Sequence, residues 1–138
     1  VVIDIEQTLD TMRQLKEMGF IFSIDDFGTG YSSLAYLKQI PVDIIKIDRS
    51  FVSGMSDNSA DMQIVSSTIT MVQKLGMQVV AEGVETSAQM NMLRGLQCEI
   101  GQGYFISRPI PESKLYSILP EKLLNGVWDK LDQIHTKF

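Results

Sequence analysis

The 138 residues predict an α/β domain built on a parallel sheet, and three observations carry that prediction. Short apolar runs alternate with stretches whose apolar residues recur at helical spacing. The runs are apolar at consecutive positions, as in strands covered on both faces. Glycine or proline closes most of the helical stretches, and no low-complexity segment or obvious linker interrupts the alternation. Four such strand–helix units fit either an open doubly wound sheet or half of a (β/α)8 barrel. In both architectures ligand chemistry gathers at the carboxyl ends of the strands.

The elements follow in order. Ile5–Met18 reads as a helix with Leu9, Met12 and Leu15 on one side, stopped by Gly19. Phe20–Ile24 reads as the first strand, followed by a turn at Asp25-Asp26 and a short helix around Ser33–Gln39 that Pro41 ends. Asp43–Asp48 is the second strand. Ser53–Ala60 reads as a polar loop before a long helix over Ala60–Leu75, in which Ile64, Val65, Ile69, Val72 and Leu75 share a face and Gly76 follows. Gln78–Ala81 is the third strand. Thr86-Ser87-Ala88-Gln89 has the form of a capping box and opens a helix with Met90, Leu93 and Leu96 inward. The last strand lies near Glu99–Ile106, then a helix over Glu112–Leu119 that Pro120 interrupts. The domain is expected to span residues 1–119. Residues 120–138 form an amphipathic helical extension striped by Leu124, Val127, Trp128, Leu131 and Ile134, where Trp128 is a packing anchor and His135 a surface residue.

Composition narrows the function. Hydrophobic residues make up 44% and charged residues 21%, an ordinary globular balance that allows one buried core. A formal net charge of −5 leaves no basic stripe for duplex nucleic acid. The single cysteine, Cys98, cannot form an internal disulfide, and the eight methionines suit core gaps. No apolar run approaches the length of a membrane span and no signal segment is present, so a cytoplasmic setting is expected, with any membrane anchor in segments outside this chain.

The strand ends carry the chemistry. Asp25 and Asp26 are adjacent carboxylates, and two such charges about 4 Å apart repel by roughly 4 kcal/mol at an effective dielectric near 20. A divalent cation reverses the sign of that cost. The other strand ends carry Lys46 and Asp48, Glu82 and Glu85, and Gln102. Carboxylate oxygens suit magnesium or manganese. Paired cations stabilise the attacking and leaving oxygens of a phosphoryl displacement, and a lysine nearby can hold the water or neutralise developing charge. Each residue also has a structural reading. Lys46 can snorkel from the outer face, Asp48 can cap the loop before Ser50, and Glu82 can be a solvated turn acid. Glu85 can interact with the dipole of the helix that starts at Thr86, and Gln102 can be an ordinary turn residue.

Four segments go further: Asp-Asp-Phe-Gly-Thr-Gly-Tyr-Ser-Ser at 25–33, Pro-Val-Asp-Ile-Ile-Lys-Ile-Asp-Arg-Ser-Phe-Val at 41–52, Val-Ala-Glu-Gly-Val-Glu-Thr at 80–86, and Gln-Gly-Tyr-Phe-Ile-Ser-Arg-Pro at 102–109. Together, and in this order, they resemble the EAL domain family of bacterial phosphodiesterases that linearise cyclic di-GMP. The resemblance implies strands five to eight of a (β/α)8 barrel and two divalent cations, Mg2+ or Mn2+. It implies that Asp25 bridges the two metals, Asp26 binds the second, and Glu82 binds a metal directly or through a water bridge. Lys46 would hold the attacking water, Asp48 would steady the same site, and Gln102 would contact water or substrate. Glu85 would brace the loop Phe27–Ser33.

The chain departs from the family in length. It holds only what resembles the second half, and it lacks the Glu-Ala-Leu signature and the asparagine and further glutamate of the first metal site. It also begins without methionine, so a fragment of a longer polypeptide is expected, associated with its missing N-terminal half or with a second copy. Sensor or diguanylate-cyclase-like domains would accompany it in the parent. Two other readings compete. One is a non-catalytic cyclic di-GMP receptor or regulatory module. The other takes Lys46 as a Schiff-base or proton-abstracting lysine, which the surrounding acids oppose because they raise its pKa. The run Asp26-Phe27-Gly28 echoes a kinase motif, but no glycine-rich phosphate loop accompanies it.

Overall fold

The computed structural model describes residues 5–29 and 37–114. Its elements are α1 (Ile5–Glu17), β1 (Ser23–Phe27), β2 (Ile44–Ile47), α2 (Arg49–Gly54), α3 (Ser59–Lys74), β3 (Gln78–Glu82), α4 (Ser87–Gly95) and β4 (Ile100–Gln102). All strand pairs are parallel and the sheet order is β1-β2-β3-β4. Sequential parallel neighbours joined by crossovers are the repeating unit of a (β/α)8 barrel. Most of the expected helix at Ser33–Gln39, the body of the one expected over Glu112–Leu119, and the amphipathic extension 120–138 lie outside the described residues. No described helix is long and apolar enough to cross a membrane.

The core sits between the sheet and the helices that follow its strands. Ile45, Ile47, Val79 and Ala81 come from β2 and β3, and α3 contributes Val65, Ile69 and Val72. The buried stripe of α3 is Val65, Thr68, Ile69 and Val72, at spacings of three and four that put them on one side. Ile64 and Leu75, expected inward, are 39% and 48% exposed, and Thr68 takes the inward place instead. The capping box of α4 forms as expected. Thr86 Oγ1 accepts from the Gln89 backbone at 3.2 Å, and Gln89 Oε1 accepts from the backbone of Thr86 at 3.1 Å and of Glu85 at 2.8 Å.

Beyond shifts of one or two residues at element ends, three differences from the sequence reading have a local reason. The first strand begins at Ser23, not Phe20, because α1 ends in a Schellman turn. Gly19 N donates to Lys16 O at 2.9 Å and Phe20 N to Leu15 O at 3.1 Å, so the Phe20 donor is already spent. Sheet pairing starts at Phe22, whose N–H donates to Asp43 Oδ2 at 3.0 Å and whose carbonyl accepts from Asp43 and Ile44. Phe20 and Ile21 are left 55% and 72% exposed. Second, a short helix, α2, fills the gap left between the expected second strand and the expected loop, and takes in that loop's first two residues. Asp48 caps it by accepting from Ser50 N at 2.8 Å, and Val52 and Met55 carry it into the core. Third, β4 stops at Gln102, and Gly103–Ile106 turns back on itself through Ile106 N donating to Gly103 O at 3.0 Å.

Asp43 ties the amino ends of this layer together. Its carboxylate pairs with Lys16 of α1 at 2.7 Å and its carbonyl accepts from Gln78 N at 2.9 Å. The Lys16 hydrogen bond, aided by the Phe22 N–H, holds its pKa below the ordinary carboxylate value. At the same end of β3 and β4, Glu99 accepts from Val79 N at 3.0 Å and from Gln73 Nε2 at 2.8 Å. Cys98 beside it is buried, and burial pushes its thiol up to about 12, so it behaves as a small core residue.

Candidate metal and catalytic site

The carboxyl ends of the strands hold a feature that the pairing register creates. Ser23 and Ile24 face Ile44 and Ile45, but Phe27 faces Ile47, so Asp25 and Asp26 together oppose Lys46. This is a bulge, two residues against one. In a regular strand successive side chains point to opposite faces. Here Asp26 adopts φ of 50°, a left-handed conformation that aspartate tolerates better than most residues. The two carboxylates are thereby released from strict alternation. One oxygen from each of Asp25, Asp26 and Glu82 lies within 4.8 Å of the others.

Lys46 sits among them. Its Nζ is 2.5 Å from Glu82 Oε1 and 3.4 Å from Asp25 Oδ1, and the side chain is 22% exposed. Lys46 therefore faces the strand-end site and does not snorkel from the outer surface. The hydrogen bond to Glu82, together with the charges of Glu82 and Asp25, raises its pKa against the opposing effect of partial burial. Asp25 moves the other way. The backbone N–H of Asp26, at 3.0 Å from Asp25 Oδ1, lowers its pKa most, and the Lys46 charge adds to that. The pair is thus ionised through the neutral range. It is lost only on acidification through the lowered carboxyl pKa or on alkalinisation through the raised ammonium pKa.

Beside this cluster opens a cleft of ≈ 240 Å³ lined by Asp26, Asp48, Arg49, Glu82, Glu85, Gln102 and Tyr104. Asp48 caps α2 and also lines the cleft. Hydrogen bonds from the Ser50 hydroxyl and backbone N–H hold its pKa below the ordinary value. Glu82 is the last residue of β3 and pairs in register with Gln102, which brings Gln102 to the same opening. Glu85 lies just before α4, and the loop it is expected to brace runs into residues 30–36, outside the described ones. All seven residues singled out in the sequence thus gather at one end of the sheet. Beside the glycines Gly83 and Gly103, two side chains of the lining were not singled out, Arg49 and Tyr104. Their positions, directly after Asp48 and two residues after Gln102, were the available signal.

Three hard oxygen donors around one opening, already partly neutralised by a single ammonium, fit a divalent cation of the magnesium or manganese type. The raised lysine pKa does not fit a Schiff-base amine, which must be neutral to attack.

A parallel sheet with acids, a lysine and a glutamine at its carboxyl edge is the architecture of a barrel enzyme's catalytic face. The chain belongs to the EAL domain family, whose match runs over residues 1–109. It is 49% identical over 119 residues to the cyclic di-GMP phosphodiesterase NbdA of Pseudomonas aeruginosa, covering 86% of this chain and 15% of NbdA. Among solved structures it superposes on the PaMucR phosphodiesterase in complex with c-di-GMP, with TM-score 0.76 and 45% identity over 83% of this chain and 46% of that one. It also superposes on Klebsiella pneumoniae BlrP1 in a manganese/cy-diGMP complex, with TM-score 0.70 and 35% identity over 79% of this chain and 28% of that one. The fold is therefore that of the EAL barrel, of which the described residues supply four strands. The chain spans less than half of the PaMucR structure and about a seventh of NbdA.

Proposed function

We propose that the complete domain hydrolyses cyclic di-GMP to the linear dinucleotide, and that this chain supplies one half of its active site. The observation that carries the reading is the gathering of Asp25, Asp26 and Glu82 around Lys46 at the strand ends. Two divalent cations held by Asp25, Asp26 and Glu82 would supply Lewis acidity at the scissile phosphate. In the net reaction a water oxygen bonds to phosphorus, one ribose ester P–O bond breaks, and the departing alkoxide takes up a proton. Lys46, kept protonated by Glu82 and Asp25, donates a hydrogen bond that orients the water. Glu82 holds Lys46 in that state, Asp48 fixes α2 beside it, and the Gln102 amide binds the phosphate-bearing part of the substrate. Glu85 braces the loop that begins at Phe27.

Chromatography of cyclic di-GMP incubated with manganese and the complete protein is expected to show the linear dinucleotide. Binding without product would overturn the enzyme reading in favour of a receptor. The 138-residue chain alone is expected to turn over poorly, because the remaining ligands lie outside it. Turnover by the chain alone in the usual enzyme range of about 1–10³ s⁻¹ would overturn that division of the site.

The same reading extends to assembly. Among the described residues β1 and β4 each have a strand neighbour on one side only, α1 has no buried residue, and Met18 and Ile21 are exposed. Open strand edges and uncovered apolar side chains favour association. We assign that surface to the N-terminal half of the barrel or, in its absence, to a second copy. Light scattering of the isolated chain is expected to report a species larger than a monomer, and a stable monomer at high concentration would overturn this. The small share of NbdA that the chain covers supports a larger parent; we assign it sensor or cyclase-like domains and place its EAL domain in the cytoplasm as part of the same proposal.

A further inference from the structure

We propose that Phe51 is a positioning residue for the metal site, holding the Asp25–Asp26 bulge in place by carrying the backbone of Gly28 on its ring. The inference rests on the reading that Asp25 and Asp26 bind metal. Asp25, Asp26, Gly28 and Thr29 are all exposed, and two of them stand at positive φ, Asp26 at 50° and Gly28 at 102°. A turn of this kind needs something to select it from its alternatives. Three contacts do so. Phe27 inserts into the core, the Thr29 hydroxyl donates to Asp26 O at 2.8 Å, and Gly28 rests against Phe51.

The third contact is the one that reaches outside the turn to another element at its exposed tip. A Cβ built on Gly28 would lie 2.7 Å from Phe51 Cε2 and 3.3 Å from Cζ, so the bare Cα is already in contact with the ring. Phe51 is half-buried, packs against the core, and stands in the first turn of α2, the helix that Asp48 caps. One short helix therefore presents a carboxylate to the cleft and an aromatic floor to the turn that carries the other two. Removing the ring leaves Gly28 free to fall toward α2. The bulge then loses the support that keeps both aspartates beside Glu82.

The test is manganese affinity in the complete protein, followed by the spin-resonance signal of free Mn2+ and run beside thermal unfolding. Phe51→Ala is expected to weaken manganese binding about tenfold or more, the usual size of an outer-layer effect on a metal site. Phe51→Tyr keeps the ring and should bind as wild type. Val52→Ala, a truncation on the same helix facing the core, should lower the unfolding temperature yet leave manganese affinity unchanged. Gly28→Ala alone should weaken binding, and should add less on the Phe51→Ala background, where the ring it strikes is gone. Unchanged affinity in Phe51→Ala, or an equal loss in Val52→Ala, would overturn the proposal while Asp25→Asn still abolishes binding. If the wild type binds no manganese, or Asp25→Asn binds as well as it does, the metal reading itself falls and Phe51 falls with it.

Discussion

Replacing Lys46 by alanine in the complete protein is expected to lower kcat by about 10²–10⁴-fold, the range for a group that manages a proton or a reacting water in the transition state. KM should change far less, because Lys46 faces the carboxylates of Asp25 and Glu82 and is assigned to the water rather than to a base of the substrate. The same variant should bind manganese more tightly, not more weakly. The ammonium lies 2.5 Å from Glu82 and 3.4 Å from Asp25 and competes with a cation for those oxygens. Without it three carboxylates face each other with no cation between them, and a divalent ion relieves their mutual repulsion. Opposite signs for turnover and metal affinity distinguish Lys46 from the ligands, since Asp25→Asn should depress both. Lys46→Arg should not rescue, because a planar fork cannot replace a point donor at this spacing. Steady-state kinetics and a manganese titration on the three variants decide the matter, and an unchanged kcat in Lys46→Ala removes that residue from the chemistry.

Gly103→Ala should be among the most damaging single methyl additions at the described residues. A Cβ there would lie 2.1 Å from the carbonyl oxygen of Val84 and 2.3 Å from its nitrogen. Both neighbours are backbone, so neither can swing aside. Two hydrogen bonds hold the strands of this crossing together, Val84 N to Gln102 O and Phe105 N to Val84 O, each at 3.0 Å. Relieving the clash breaks at least one of them and separates the loops that follow β3 and β4. The expected cost is about 3 kcal/mol or more, the upper range of overpacking. In the complete domain, about twice the length of this chain, that lowers the unfolding temperature by roughly 6–12 °C. Denaturation of the complete protein measures it, and a shift within a degree or two of wild type would show that the two loops are not locked. Gln102 precedes the glycine, so the surviving folded fraction should also bind substrate more weakly.

The order of elements was legible because the physical signal is coarse. Buried parallel strands must be apolar throughout, and the helices between them must show one apolar side. The polar residues at strand ends were legible for the same reason, standing out against Ile44–Ile47 and Val79–Ala81. The limits of β1 were not legible. Phe20-Ile21-Phe22 has strand composition, but its first donor is taken by the end of α1, a bond decided by Gly19 and Leu15 together. The two aspartates were read as lying after the strand because no regular buried strand accommodates adjacent acids. They lie within it, and the bulge that admits them depends on Lys46 and Ile47 across the sheet. Similarly, a lysine between isoleucines carries no mark of which face it takes. Glu82, thirty-six residues later in the chain, decides it. The helix α2 was missed because it is a six-residue element, too short for periodicity to register, although Asp48 before Ser50 was a capping signal.

The extra residue in β1 also sets a conflict between durability and use. Deleting Asp26 would restore one-to-one pairing with β2, remove a left-handed residue and separate two like charges. Each change favours the folded chain on its own terms. A search that rewarded only thermal endurance would therefore drift toward losing this residue, and with it the pair of oxygens on which the cluster depends. The irregularity survives only where something other than stability is being selected.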